Sequence, residues 1–250
     1  MKKLFFFIVL SFGINLVNAQ NFELTGQNMI RSKYVGPHDG VIFYNKPVNQ
    51  GNVTLFHIKT GLFVDLWYST GFNLDPQNWD DEIDYSIGWR GEILEFNLYM
   101  SLTYFDNHTI FDFPFNDVIH FYGKISVPKL EITNNSSISP FVSYSKFWIP
   151  DKNTPFNGGE IKSIGFDGNI NFSKKINGGI SPLFAWDSGT FGVEKGWLFK
   201  LGSNVDWQLN NHLTWNILEY NLYYIPLKTS SIRRGLPNQH VWGSGLVWKI

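Results

Sequence analysis

The sequence contains no cysteine in its 250 residues, so disulfides play no part in its stability. A small exported domain usually depends on disulfides, whereas a chain of this length can do without them if its sheet closes on itself. Beyond the N-terminus, no segment approaches the ~18 consecutive apolar residues that a membrane-spanning helix needs. The formal net charge is only −1, and no basic patch of the kind that nucleic acid requires is present. These absences exclude a disulfide scaffold, a bundle of membrane helices and a nucleic-acid-binding protein.

The first 19 residues have the pattern of a signal peptide. Lys2 and Lys3 form a basic segment, Leu4–Leu10 is an apolar run, and small residues lie near Ala19. We expect cleavage after Ala19, which leaves a mature chain with 18 Lys and Arg against 21 Asp and Glu. An uncleaved anchor helix is the alternative, but the apolar run is short for a membrane span. With no cysteine at the cleavage site, the chain is not a lipoprotein.

Apolar and polar residues alternate along most of the mature chain. The pattern is clearest in residues 82–90 and returns in residues 62–69, 92–105, 118–127, 164–172 and 197–209. Successive side chains of a strand point to opposite faces, so each segment has one apolar and one polar face. Aromatic residues make up 18% of the chain and gather at the ends of these segments. Girdles of Trp and Tyr at the membrane interfaces account for that excess.

The alternation predicts an all-β protein, a transmembrane antiparallel up-and-down β-barrel of about 12 strands, with 10 as the alternative. Residues 20–250 form its single domain. We place short turns at Arg90–Gly91, at 174–179 and at 209–212, and longer loops at 71–81, 106–117, 150–159 and 228–239. A soluble secreted β-sandwich is the rival fold, but another sheet would have to cover its apolar faces.

Two segments leave the strand assignment open. Residues 52–70 carry no strong turn signal, and they form either one very long strand or two strands joined near Thr60 and Gly61. The apolar phase slips after Ile217, where Leu218 begins a new alternation. Such a slip indicates a β-bulge or a strand that leaves the membrane.

The last strand ends at the C-terminus, with Trp242, Leu246, Trp248 and Ile250 on one face. An alternating apolar strand in this place resembles the insertion signal of outer-membrane proteins, although those usually end in Phe or Trp. We therefore expect export to the outer membrane of a Gram-negative bacterium. The expected partners are the barrel-assembly machinery, outer-membrane lipid and lipopolysaccharide.

Residues 30–106 resemble the porins of the TorF-like family. The similarity lies in the strand Gly61–Ser69, in the following strand Glu82–Trp89 and in the aromatic-ended strand Leu98–Phe105. The family pattern is Gly, an aromatic residue, Trp and Ser in one strand, then Glu, an apolar residue, Asp and Tyr in the next. The resemblance implies an outer-membrane location and passive transport.

The polar faces of the strands would line the lumen of such a barrel. Their charges have both signs, which predicts cross-bracing by ion pairs rather than a selective ring of one sign. We assign no catalytic residue, metal or cofactor and expect a porin or channel for passive passage of small polar solutes. The expected pore-lining residues are Asp65, Glu82, Asp84, Arg90, Glu95, Asn97, Lys124, Lys200, Asn204 and Asp206.

Other functions compete with transport. The barrel could be a closed structural or adhesive protein, filled by its own side chains. A membrane lipid hydrolase is a further alternative, in which His120 pairs with Ser101 or Ser143. The acidic residues 80–82 could hold Ca²⁺, but a solvated loop is the simpler interpretation. The three phenylalanines in residues 111–115 could dock a hydrophobic ligand, or serve as part of a girdle or loop core.

Overall fold

The computed structural model describes residues 21–36, 38, 40–72, 82–107, 117–151, 157–224 and 238–250. Within these residues, antiparallel strands account for nearly all of the regular structure. The strands are β1 (Phe22–Arg31), β2 (Tyr34–Val35), β3 (Ile42–Tyr44), β4 (Val48–His57), β5 (Leu62–Gly71), β6 (Glu82–Ile93), β7 (Phe96–Asn107), β8 (Val118–Ser126), β9 (Leu130–Thr133), β10 (Ser136–Trp148), β11 (Gly159–Asn171), β12 (Ile176–Asp187), β13 (Gly196–Gln208), β14 (Leu213–Tyr224) and β15 (Gln239–Lys249).

Twelve of these strands form a closed antiparallel barrel. Each pairs with its neighbours in the order β1, β4, β5, β6, β7, β8, β10, β11, β12, β13, β14, β15. The barrel closes where β1 pairs with β15, and Thr25 lies opposite Lys249. The short strand β9 pairs with the first residues of β10, and β2 and β3 form a separate hairpin. The prediction of 12 strands rather than 10 is confirmed.

The two faces of the barrel wall follow the predicted alternation. Outward residues are apolar and exposed, such as Ile87 (58%), Ile164 (62%) and Trp242 (61%). Inward polar residues are buried, such as Glu82 (3%) and His120 (4%). A closed barrel with an apolar outer band is the architecture of transmembrane β-barrels, and a soluble sandwich is excluded. No helix in the described part of the chain is long and apolar enough to cross a membrane.

Short turns gather at the end of the barrel where Asn21 and Ile250, the first and last described residues, lie. We name it the short-turn end. The connection between β4 and β5 is such a turn, and Gly61 adopts a φ of +77° there, so residues 52–70 form parts of two strands. The predicted turn at Arg90–Gly91 is wrong, because β6 continues to Ile93 and the chain reverses at residues 94–95. Leu94 and Glu95 have φ values of 50° and 70°. Neither residue type favours positive φ, so the sequence gives no signal for this turn.

The opposite end, which we name the long-loop end, carries the connection between β1 and β4 and that between β12 and β13. The slip after Ile217 is a β-bulge, because the pairing of β14 with β15 shifts register between Asn216 and Glu219. The signal peptide predicted for residues 1–19 lies outside the described residues. So do most residues of the predicted loops 71–81, 106–117, 150–159 and 228–239.

The hairpin of β2 and β3 folds into the lumen at the long-loop end, and we name it the inner hairpin. Val35 lies in an apolar cluster with residues from seven wall strands. A second cluster joins Tyr34 and Tyr44 to Val48 of β4. The wall residues around Val35 are Val118, Phe147, Ile161, Ala185, Leu198, Tyr223 and Val241.

The loop between β12 and β13 adds to this filling. The fully buried Asp187 accepts hydrogen bonds from the backbone N–H groups of Gly189 and Thr190, at 2.7 and 2.8 Å, and from the Thr190 hydroxyl at 2.7 Å. This folds the loop inward, and the ring of Phe191 packs edge-on against that of Phe43 with centroids 5.6 Å apart. The long-loop end of the lumen is therefore filled by apolar side chains.

Candidate functional site

A cavity of about 990 Å³ lies inside the barrel beneath the inner hairpin. Its roof includes Tyr34, Val35 and Phe43, and its lining continues along the wall to Asn97 and Ser126 near the short-turn end. Polar and charged side chains of both signs contribute to the wall because alternate residues of every strand point inward. The cavity is the candidate functional site.

Most of the predicted pore-lining residues do face the interior. The members that line the cavity are Asp65, Asp84, Arg90, Asn97, Lys124 and Lys200. Glu82 is buried beside Asp84 but does not reach the cavity. Asn204 and Asp206 lie lower on β13, where Asn204 donates a 2.5 Å hydrogen bond to Asp206. Glu95 is a correction, because it lies exposed in the turn between β6 and β7 rather than on an inward face.

Ion pairs brace the lumen across intervening strands. Lys124 of β8 lies 2.5 Å from Asp167 of β11. Arg31 of β1 lies 2.8 Å from Glu219 of β14 and donates a 2.7 Å hydrogen bond to Gln50. The predicted cross-bracing is present, although sequence analysis missed Arg31 and Glu219. Arg31 ends a strand whose polar and apolar residues alternate poorly, and Glu219 directly follows the register slip.

One sector of the wall, on β5 and β6, carries three carboxylates that we name the acidic wall: Asp65, Glu82 and Asp84. Tyr34 of the inner hairpin donates a hydrogen bond to Glu82, and Glu82 shares another with Asp84. Asp84 Oδ1 is shielded from solvent and accepts no hydrogen bond. None of the ion pairs in the described residues includes any of the three. This sector therefore carries unbalanced acidic groups.

Aromatic rings adjoin the acidic wall. Trp67 is the cross-strand partner of Asp84, and its ring centroid lies 5.6 Å from that of Tyr34. Lower in the lumen, Phe63 stacks on Tyr99 with centroids 5.3 Å apart. Such pairs contribute apolar contact area inside an otherwise polar wall.

His120 does not form the arrangement of a hydrolase. Its ring stacks on Phe147 at 4.2 Å between centroids, and its Nε2 is buried without a hydrogen-bond partner. Its cross-strand partners are Thr103 and Phe147, whereas Ser101 and Ser143 lie opposite Tyr122 and Lys124. Within the described residues, neither Ser101 nor Ser143 therefore lies opposite His120 as a hydrolase pair would require.

His38, at the tip of the inner hairpin, lies beside two aromatic residues of β8. Its ring centroid is 4.8 Å from that of Tyr122 and 5.4 Å from that of His120. Burial, followed by the positive charges that His120 and Lys200 can carry, holds the pKa of His38 well below its usual range. His38 is therefore neutral near pH 7 while the hairpin is docked.

Among the described residues, no group of three or more His, Asp or Glu side chains could hold a metal ion. Of the predicted Ca²⁺ ligands, residues 80 and 81 lie outside the described part of the chain. The phenylalanine-rich segment 111–115 lies outside it as well.

Comparison with known proteins shows that this chain is similar in fold to several solved structures. No protein-family model and no curated protein matches the chain, so the resemblance to the TorF-like family stays a prediction. The NanC porin structure has a TM-score of 0.56 and 10% identity, over 91% of this chain and 100% of that one. A bacterial polysaccharide outer membrane secretin has a TM-score of 0.54 and 7% identity, over 92% and 98%. The translocator domain of the autotransporter NalP from Neisseria meningitidis has a TM-score of 0.51 and 11% identity, over 96% and 92%. At these identities the shared property is the fold, and the chain has that of outer-membrane β-barrels.

Proposed function

We propose that the protein is an outer-membrane channel for passive passage of small polar solutes, as in the TorF-like porins that its sequence resembles. The observation that supports this proposal is the cavity of about 990 Å³, enclosed by a 12-stranded barrel and lined by charges of both signs. Barrels of eight strands are filled by side chains and those of 16 are open, so 12 strands leave room for a controlled path. Lipid and lipopolysaccharide would surround the wall, and the assembly machinery would receive β15.

The inner hairpin determines how such a channel would work. Val35 and its apolar partners occupy the long-loop end of the lumen, so solute passage requires the hairpin to move. Its contacts are mainly apolar, and the hairpin joins the barrel through residues 32–33 and 45–47, which are not part of any strand. The channel would then alternate between a docked, closed form and a form with the hairpin displaced.

The same hairpin favours a second candidate, a permanently closed structural or adhesive barrel. In that case the apolar clusters around Val35 and Tyr34 would be a fixed core, and the cavity would have no transport role. The two candidates differ in whether the hairpin moves under native conditions.

A disulfide lock tests the channel function. The chain has no cysteine, and β2 lies against β15 with Val35 and Val241 in one cluster. Refolded Val35→Cys/Val241→Cys protein in planar bilayers should show discrete conductance steps when reduced. Oxidation should abolish the steps, and dithiothreitol should restore them. The single variant Val35→Cys is the control and should not respond to oxidation.

Ion selectivity tests the lining. Lys200→Glu should shift the reversal potential in a KCl gradient toward cations, because Lys200 lines the cavity. Lys174→Glu changes the same charge at an exposed turn and should leave selectivity as it is. A silent bilayer with inserted, folded protein would overturn the channel function and favour the structural barrel.

A further inference from the structure

Among the described residues, no basic side chain forms an ion pair with the carboxylates of the acidic wall. Glu82 and Asp84 are 3% and 9% exposed, and they lie two residues apart on the same face of β6. Asp65 lies on the same face of β5, diagonal to Asp84, because Asp84 pairs with Trp67 and Asp65 with Ser86. Buried carboxylates this close repel one another unless a proton or a cation lies between them.

A proton shared between Glu82 and Asp84 can reduce this repulsion, as a cation can. The hydrogen bond that Glu82 shares with Asp84 requires one of the two carboxyl groups to be protonated, since ionised carboxylates only accept. Even so, Asp84 Oδ1 remains without a donor. A buried acceptor without a donor costs free energy, because it has lost its hydrogen bonds to water. A positively charged hydrogen-bond donor would satisfy both requirements.

The aromatic rings beside the acidic wall fit such a ligand. Trp67 and Tyr34 both line the cavity next to Asp84, with their rings at 49° to each other. The faces of Trp and Tyr rings attract cations, more strongly where water is excluded. Tyr34 belongs to the inner hairpin, so the docked hairpin supplies one side of this site.

We propose that Asp65, Asp84, Trp67 and Tyr34 form a binding site for the ammonium group of small organic amines, a proposal that rests on the proposed channel function. The ammonium donates to Asp84 Oδ1 and Asp65, and the two rings cover its alkyl part. Asp65 keeps its own orientation through a 2.7 Å hydrogen bond from Asn52. A metal ion does not fit, because no described group of three ligands converges on a point.

The charged side chains around the acidic wall determine whether the site binds cations or anions. Three basic groups of the cavity wall are engaged elsewhere: Lys124 with Asp167, Arg31 with Glu219 and Arg90 over the ring of Phe56 at 3.7 Å. An amine entering the cavity therefore meets carboxylates on β5 and β6 that form no ion pair among the described residues. Lys33 and Lys200 also line the cavity, but an anion placed at the acidic wall itself would be repelled by its carboxylates.

Calorimetric titration of the refolded mature barrel in detergent tests the site without any need for conduction. The probe is n-butylammonium chloride, with sodium butyrate as the anion of matched size. Butylammonium should bind and butyrate should not. Asp84→Asn should weaken butylammonium binding at least tenfold, and Trp67→Leu should weaken it severalfold.

Asp206→Asn is the matched control. Asp206 faces inward but lies outside the cavity, held by Asn204 and by a 2.7 Å hydrogen bond from Asn216, so its variant should bind like the parent chain. Folding of each variant is checked by the faster gel migration of the unheated barrel. Equal binding to the parent and to Asp84→Asn, or no binding of butylammonium at all, would overturn the site.

The site and the channel can fail separately. If butylammonium binding depends on Asp84 but the barrel never conducts, the amine site is supported and the channel function is rejected. If the barrel shows conductance steps but does not bind butylammonium, the channel function is supported and the amine site is rejected.

Discussion

Gly88 shows how single residues shape the lumen. It occupies an inward position of β6, between Asp84 and Arg90 in the alternation, yet it carries no side chain. The ring of Phe63 from β5 extends across this position to stack on Tyr99. A Cβ placed on Gly88 would overlap both the Phe63 ring and the carbonyl oxygen of Met100. Glycine is thus needed here for space, since a backbone approached by a large ring leaves no room for a side chain.

Gly88→Ala should therefore destabilise the barrel, by about 1–3 kcal/mol as expected for overpacking. Urea unfolding of the refolded barrel, followed by heat-modifiable gel migration, measures the change. Gly123→Ala is the matched control, because its nearest neighbour is the Phe121 ring at 3.5 Å, an ordinary contact. Equal stability of the two variants would show that the Phe63 ring can move away at no cost.

The residues of the candidate site were predictable where strands alternate cleanly. Asp65, Asp84 and Lys124 lie in such strands, and the structure places all three on the cavity wall. Glu95 was misplaced because the chain turns at residues 94–95 with positive φ, a conformation that Leu and Glu seldom adopt. A turn without Gly or Asn leaves no trace in the sequence pattern.

Among the elements, the inner hairpin is the one that the sequence pattern does not predict. Its strands are two and three residues long, too short for an alternation to be recognised. Its apolar residues are buried by contact with strands distant in the chain, such as β8 and β15. The strands of the barrel can be predicted from local periodicity. A loop that folds into the lumen depends instead on contacts with distant strands, and these form only when the barrel closes.

Docking of the inner hairpin should depend on pH through His38. The pKa of His38 is held below its usual range while the hairpin is docked, so protonation favours the released form. The stabilisation that neutral His38 gives to docking is fully present above the ordinary histidine pKa of about 6.5 and weakens as the pH falls below it. Lys200, His120 and Tyr122 are the titratable groups around His38.

A ¹⁹F label on Asn45→Cys, an exposed position beside the hairpin, reports its two forms. Lowering the pH from 7.5 to 5, values chosen on either side of about 6.5, should raise the population of the released form. With His38→Gln added, the population should change much less. The same response in both proteins would assign the pH dependence to another group.

At the scale of the whole molecule, closure is what can stabilise a chain without cysteine or a large apolar core. The pairing of β1 with β15 leaves no open edge in the barrel, so every wall strand has two partners. The apolar surface points outward, where lipid covers it, and the polar groups point inward, where they bond to one another. The alternation predicted this inversion and the strand number, because both depend on local periodicity. It could not predict which charges would pair across the lumen, since that depends on register and on the bulge in β14.

The lipid-facing band gives a prediction that concerns the entire barrel. Ile87 lies in the middle of β6 and is 58% exposed, and Leu94 lies in the turn at the short-turn end and is 87% exposed. If exposure to water decided the cost of a charge, Leu94→Arg and Ile87→Arg would both be tolerated. In a bilayer the cost depends on depth: about 2–4 kcal/mol for arginine at the midplane and about 0–1 kcal/mol near the interface. Ile87→Arg should therefore destabilise the barrel in lipid vesicles by the larger amount and Leu94→Arg by the smaller, as measured by urea unfolding of both variants. Equal costs for the two substitutions would mean that β6 does not cross the membrane at Ile87.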